Sequence, residues 1–225
     1  MLEASSRFWE RTMSQTSLPP AIEPDYLALL DSDRISGRTR QIMEERAQTS
    51  DAGYTPRHLS PQAYETLSAL TARVLPQASI LSDACVNLAA RIDARLGTPG
   101  DGWRFAILPS DAEAYEQALT GLDAESRTHE GLGFAALDTA RQDGLVGAMA
   151  EGELATGKLD GTQMRAWFAD LRADCVQIFM SHPAVQAQLG IDAIFNGGDG
   201  VFQGFSAMGE GVNEPWEPEI RGAHP

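Results

Sequence analysis

The chain has 225 residues, 43% apolar and 22% charged, which is ordinary for a globular protein and enough for one domain with a substantial core. Its net charge of −15 disfavours nucleic acids and anionic membranes as partners, because both attract clusters of Lys and Arg. The apolar runs are far shorter than the roughly 20 residues of a membrane-spanning helix, so no direct membrane insertion is expected. The N-terminus shows no export signal and no twin-arginine pair, which predicts a cytoplasmic chain, or a periplasmic one if a signal-bearing partner carries it across the membrane.

The first 57 residues are polar and are interrupted by the proline-containing stretch "SLPPAIEP". The apolar patch "DYLALL" at 25–30 and a predicted helix at 36–48 are the signals of order there. Such a stretch carries too little apolar area to fold alone. We therefore predict that residues 1–57 form an extended, partly helical arm that lies over a surface or stays mobile.

Amphipathic segments at helical spacing dominate the middle of the chain. Ser60 is the predicted N-cap of the first, with Pro61 at the first helical position, and Ser110 with Glu113 reads as a capping box at the third. Residues 103–108 are the one stretch in which the pattern favours a short strand instead of a helix. The fold class predicted for residues 58–183 is all-α, a compact helical domain. The predicted helical segments are 59–76, 80–97, 109–122, 134–154 and 160–183.

Residues 184–225 are rich in Gly, Pro and aromatic side chains and lack a helical period, so a C-terminal wrapping arm without a core element is predicted. Its stretch "GGDGVFQG" at 197–204 lacks the Gly-Lys-Ser/Thr ending of a phosphate-binding loop. It also lacks the six to eight oxygen ligands that calcium prefers. We interpret it as a structural loop in which several glycines take positive φ.

Catalytic and metal-binding patterns are not evident. The stretch "THEGLG" begins like a zinc-protease helix, but Gly133 stands where the second histidine belongs, so solvated or capping histidines are expected. Cys85 and Cys175 fall on predicted apolar stripes, which favours buried free thiols over a disulfide between them or to a partner chain. No catalytic, cofactor-binding or metal-binding residue is predicted in this chain.

Three stretches carry a resemblance that spans Leu59 to Trp216. They are "LSPQAYETLSALTARVLPQAS", "ALTGLDAESRTHEGLGFAALDTARQDGLVGAM" and "MRAWFADLRADCVQIFMSHP", the last leading into "FNGGDG". This pattern resembles the gluconate 2-dehydrogenase subunit 3 family, whose members often carry a Tyr-Gly-Gly-Asn-like turn followed by a tryptophan. This chain departs from the family pattern in lacking a twin-arginine signal, in having Asp199 where Asn is closer to the pattern, and in the late position of Trp216.

The resemblance implies a small subunit that does no chemistry. A large flavoprotein of the glucose-methanol-choline class would hold FAD and oxidise the sugar, and electrons would leave through a heme c or iron–sulfur carrier, with a cytochrome c as candidate acceptor. The small subunit would bind that flavoprotein and support its folding, cofactor loading or export. We predict that aromatic anchors and a glycine turn in the C-terminal arm contact the partner. These residues are Phe195, Asn196, Gly197, Gly198, Asp199, Gly200, Phe202, Phe205 and Trp216.

Two other functions are compatible with the same sequence. A free-standing helical protein could bind a small ligand inside the bundle, as bundles often do. An independent enzyme would require a metal or cofactor that the sequence does not indicate. The resemblance implies that the sugar or glycoside substrate binds wholly to the partner.

Overall fold

The computed structural model describes residues 18–48, 53–98, 105–191 and residue 212. These ranges are helical, and the β-pairing within them is an isolated bridge between Leu18 and Ala84. The predicted all-α fold is thus confirmed. The described α-helices are α1 (Pro24–Leu30), α2 (Gly37–Ala47), α3 (Pro61–Val74), α4 (Ala78–Leu81), α5 (Leu88–Leu96), α6 (Asp111–Glu130), α7 (Thr139–Glu151), α8 (Gly161–Met180) and α9 (Pro183–Leu189), with a 3₁₀ turn at Phe134–Ala136.

Helix starts follow the local sequence in some places and not in others. The Ala63 N–H donates to Ser60 Oγ at 3.2 Å, with Pro61 at the first helical position of α3, as predicted. The predicted capping box at the start of α6 is wrong. Ser110 precedes that helix, but its side chain accepts no cap hydrogen bond, and Glu113 instead accepts from the Gln117 side chain at 2.8 Å.

The capping box forms at α8 instead. The Gln163 N–H donates to Asp160 Oδ1 at 2.8 Å, and the Asp160 N–H donates back to Gln163 Oε1 at 3.0 Å. Two backbone donors that helix geometry would leave open are therefore satisfied where the longest apolar stripe begins.

The single helix predicted at 80–97 is two helices. Ser82, at φ 53, ends α4, and the Gln77 side chain then holds the Val86 backbone through bonds of 2.8 and 3.0 Å. Asn87 caps α5 by accepting the Ala90 N–H at 3.0 Å. Cys85 consequently lies in the connection between α4 and α5 and is half-buried rather than fully buried on a helix face. The possible strand at 103–108 is a turn in its described part, 105–108.

The main core lies between α3, α5, α6, α7 and α8. Trp167 of α8 is fully buried and meets Tyr115 of α6 edge-on, with ring centroids 5.5 Å apart. Burial of such large rings supplies much of the hydrophobic stabilisation of a small domain. Other large members of the main core are Leu67, Leu70, Ile92, Leu119, Leu122, Phe134, Met149, Met164, Phe168, Leu171 and Phe179.

A second core joins the N-terminal helices to α9. It consists of Tyr26, Leu30, Ile35, Met43 and Ala187. The helix predicted at 36–48 is confirmed by α2, and "DYLALL" is most of α1. Residues 24–47 thus lie over a surface of the body, which is one of the two alternatives predicted for the N-terminal arm.

The expectation that no core element follows residue 183 is wrong for α9. Ala184, Val185 and Ala187 are buried, and Pro183, which reads as a stop signal, occupies the first position of the helix. Proline suits that position because its missing N–H has no intrahelical partner there. A helix of seven residues is too short to show a period, so the sequence pattern conceals it.

Candidate partner-binding surface

The residues predicted to bind a partner lie outside the described part of the chain. The structure describes the chain as far as Ile191 and then residue 212. The contacts of the predicted residues therefore stay a prediction. They are Phe195, Asn196, Gly197, Gly198, Asp199, Gly200, Phe202, Phe205 and Trp216.

Helix α9, from which that segment departs, is firmly held. Tyr26 Oη donates to Gln186 Oε1 at 2.8 Å, and Gln188 Nε2 donates to Glu23 Oε1 at 2.8 Å. The two bonds connect α9 to residues more than 150 positions earlier in the sequence. Gly190, at φ 64, then ends the helix in the left-handed conformation that glycine adopts readily.

His182 caps α9 from a buried position. The Ala184 N–H donates to His182 Nδ1 at 3.2 Å, so the imidazole must be neutral at that nitrogen. Burial, with a smaller contribution from the charge of Arg91, lowers the pKa of His182 to about 4. The predicted role of a capping histidine is confirmed here.

Asp93 is buried on α5 and accepts four hydrogen bonds. Tyr54 Oη donates at 2.7 Å, and the backbone N–H groups of Arg57, His58 and Leu59 donate at 2.7, 3.2 and 2.8 Å. Burial alone would raise the pKa of Asp93, but the hydrogen bonds outweigh it and the pKa lies below its ordinary value. Asp93 therefore fastens the segment before α3 onto α5 and has no oxygen free to act as a general base.

A second polar group joins α5, α6 and α8. Arg95 bonds Asp174 at 2.6 Å and Asp111 at 3.0 Å, and Tyr115 Oη donates to Asp174. Burial first, and then the charge of Asp174, raises the pKa of Tyr115 well above its ordinary value, so the phenol stays protonated. This network links three helices through one arginine fork and leaves Tyr115 without acid–base reactivity near neutral pH.

Cys85 and Cys175 form no disulfide in the structure, as the sequence favours, and Cys175 is buried. Burial, with the adjacent charge of Asp174, raises the pKa of the Cys175 thiol to about 12. Because the thiolate is the nucleophile, a thiol with this pKa is unreactive at neutral pH. Cys175 thus packs as a small apolar side chain.

The stretch "THEGLG", which begins like a zinc-protease helix, lies at the C-terminus of α6. His129 lies 3.3 Å from Glu125 on the exposed side of the helix. A Cβ at Gly133 would overlap Asp123 Oδ1, which accepts the Phe134 N–H at 2.9 Å, so the second histidine position has no room for a side chain. Among residues 18–48, 53–98 and 105–191, no three His, Cys, Asp or Glu side chains are grouped to hold a metal ion.

The solvent-facing side of α8 exposes no acidic side chain. We call it the α8 face, and it includes Val176 and Met180, which are 50% and 37% exposed. The sequence analysis predicted the buried stripe of this helix but not the exposed side as a binding surface. Once the buried side is known, the sequence shows that Asp and Glu are absent from the exposed positions. The exposed residues of the α8 face are Thr162, Arg165, Ala169, Arg172, Ala173, Val176, Gln177 and Met180.

No described helix combines the length and the apolar composition needed to cross a bilayer. A family model described as gluconate 2-dehydrogenase subunit 3 matches residues 61–198, more than half of the chain. No curated protein and no solved structure matches.

The match runs from the start of α3 through α9 and ends inside the predicted glycine turn. Phe195, Asn196, Gly197 and Gly198 fall within it. The remaining predicted residues, Asp199, Gly200, Phe202, Phe205 and Trp216, lie beyond it. Since the match takes in the helical body from α3 onwards, the chain belongs to the gluconate 2-dehydrogenase subunit 3 family.

Proposed function

We propose that this chain is the non-catalytic small subunit of an FAD-dependent sugar or glycoside dehydrogenase. It binds and stabilises a large flavoprotein of the glucose-methanol-choline class and aids its maturation. The partner holds FAD, and a heme c or an iron–sulfur cluster in the complex, or a cytochrome c, takes up the electrons. The observation that carries the proposal is the family match over residues 61–198, because the family description is that of a dehydrogenase subunit.

The side-chain chemistry of the described residues supports an accessory role. Asp93 and Asp174 direct their oxygens at donors within the fold, and Asp123 accepts from Phe134, Gln62 and Arg127. Catalytic acids and bases need an approachable atom and a pKa near the working pH. These carboxylates hold segments of the fold together, which fits a protein that contributes a binding surface and not a reactive group.

Co-expression tests the proposal directly. The proposed flavoprotein partner is produced with and without this chain. Three quantities are measured: co-purification, flavin absorbance per flavoprotein, and sugar-dependent reduction of an electron acceptor. We expect a stable complex, and less flavin-loaded, active flavoprotein when the small chain is omitted. A flavoprotein that is equally loaded and active alone, beside a chain that runs as a stable lone monomer, would overturn the proposal.

The isolated chain gives a second readout. A protein that binds a ligand in its folded form melts at a higher temperature when that ligand is present. A sugar that raises the Tm of the lone chain would favour a free-standing ligand-binding protein over a subunit. We expect no such rise, because the proposed substrate site lies on the partner.

A further inference from the structure

The α8 face is set apart by its charge. Every other described α-helix longer than ten residues exposes at least one carboxylate, in a protein whose net charge is −15. The α8 face exposes two arginines, Arg165 and Arg172, and no acidic residue. The exposed carboxylates of the other long helices are Glu44 and Glu45 on α2, Glu65 on α3, Glu113 and Glu130 on α6, and Asp143 and Glu151 on α7.

Four apolar residues form a stripe along this face. Val176 and Met180 are one helical turn apart, so their side chains are neighbours on the same side of α8. Ala169 and Ala173 continue the stripe towards the N-terminus of the helix. Their small side chains allow another surface to approach the helix closely. Exposed aliphatic side chains aligned in this way mark an interaction surface more often than scattered ones do.

Arg165 and Arg172 lie beside this stripe, and Arg172 is positioned by an aromatic ring. The guanidinium carbon of Arg172 lies 5.8 Å from the centre of the Phe168 ring, which belongs to the main core. Within the described ranges no carboxylate pairs with Arg165 or Arg172. An arginine that is stacked on an aromatic ring and not paired with an acid within its own fold can be paired with an acid on another surface.

The face is also rigid, because the opposite side of α8 is embedded in the main core. Trp167, Leu171 and Cys175 are fully buried, and α8 packs against α3, α5, α6, α7 and α9. A surface fixed in this way loses little conformational entropy on binding. The whole of α8 also lies inside the family match.

We propose that the α8 face is the docking surface for the large flavoprotein subunit. The complementary surface on that subunit is an apolar strip bordered by carboxylates, which receives Val176 and Met180 and pairs with Arg172 and Arg165. This inference rests on the proposed function and deepens it. A second copy of this chain is disfavoured as the occupant, because a two-fold contact sets the same patch against itself and would contain the exposed arginines of both copies without a carboxylate to pair with them.

Two double variants test the proposal. Val176→Asp with Met180→Asp puts two carboxylates on the α8 face, and Ala124→Asp with Thr128→Asp puts the same charges one turn apart on the exposed side of α6, also near a helix C-terminus. Each variant chain is co-expressed with the proposed flavoprotein partner, and the Kd of the complex is measured after circular dichroism and melting confirm the fold of the variant. We expect the α8 variant to bind about tenfold more weakly or worse, since interface anchors dominate affinity, and the α6 variant to bind like wild type. Wild-type affinity in the α8 variant would overturn the proposal and leave the proposed function standing.

Cysteine labelling supplies an independent readout. Val176→Cys and Thr128→Cys are made in a Cys85→Ser background, and maleimide labelling rates are compared for the lone chain and the complex. We expect both sites to label quickly in the lone chain, and complex formation to protect position 176 alone. Slow labelling of position 176 in the lone monomer would show that another part of this chain covers the face and would overturn the proposal.

Two further outcomes are decisive. A lone wild-type chain that dimerises, and that Val176→Asp with Met180→Asp renders monomeric, would assign the face to a second copy and overturn the proposal. Failure of the wild-type chain to bind the flavoprotein at all would refute the proposed function, and the docking surface with it.

Discussion

The main core is much larger than the second core. The main core draws on helices α3 to α9 and includes several fully buried rings and branched side chains. The second core has five buried members, four of them from residues 26–43 and the fifth, Ala187, from α9. Apolar burial stabilises in proportion to area, so the main core is expected to fold as the body and the second core to depend on it.

The two regions also differ in their relation to the family. The match begins at residue 61, so the main core lies within it, whereas α1 and α2 lie before it. Helix α9 joins the two regions, because Val185 belongs to the main core and Ala187 to the second. The family match therefore covers the body and leaves out the N-terminal helices, which the second core holds against α9.

The largest expected effect is on the main core. Trp167→Ala should lower the free energy of unfolding by about 3–5 kcal/mol, because it removes a fully buried indole that also contacts Tyr115. Urea unfolding followed by circular dichroism measures the change. The exposed Val176→Ala serves as the control and should stay within about 0.5 kcal/mol of wild type. Equal shifts for the two variants would contradict the assignment of Trp167 to the core.

The matching change in the second core is Met43→Ala. Met43 is 1% exposed, and its truncation should cost about 2 kcal/mol, at the low end for buried methionines because few neighbours surround it. Hydrogen exchange should show the loss in the amides of α1 and α2, with α6 and α8 nearly unchanged. If the α6 and α8 amides lost protection to the same degree, the two cores would form one cooperative unit.

Asp93→Asn tests the hydrogen bonds that hold the segment before α3 against α5. The amide keeps one acceptor oxygen but loses the charge, so we expect a loss of about 1–3 kcal/mol at neutral pH. The folded-state pKa of Asp93 lies below the ordinary 3.8, so its contribution is present above that value and is lost as the pH falls through the folded pKa. Wild-type stability should therefore fall more steeply in acid than that of the variant. Parallel acid profiles would argue against this role for Asp93.

The smallest effect is expected at the joint between the two regions. His182→Asn preserves an N-cap acceptor for α9, so stability at pH 7 should change by less than about 1 kcal/mol. The pKa of His182 is lowered from 6.5 to about 4 in the folded protein. As the pH falls, the unfolded chain therefore binds a proton at His182 before the folded chain does, and wild-type stability declines between pH 6.5 and 4. The variant should lack this decline in melting experiments across that window. A decline of the same size in both proteins would place its origin elsewhere.

Sequence patterns predicted the helical body well because each long helix carries its own signal. The stripe Met164, Phe168, Leu171, Cys175, Phe179 predicted α8, and Ser60 with Pro61 predicted the start of α3. The break at Ser82 escaped prediction, since apolar spacing continues across it and the positive φ of Ser82 gives no signal in the residue type. The predicted partner-binding residues from Phe195 to Trp216 stay a prediction from the family resemblance and the composition of the arm, because they lie outside the described residues.

The sequence by itself determined the all-α class, where most of the long helices lie and the membership of a dehydrogenase-subunit family, because helical periodicity and family motifs are local patterns. It did not determine the helix ends, since α6 is predicted to end at residue 122 and extends to Glu130. Tertiary structure alone decided that α9 is buried and that Asp93 is saturated by donors more than 30 residues away. It also decided which side of α8 faces solvent. Each of these depends on which distant segments meet, and a one-dimensional pattern does not record that.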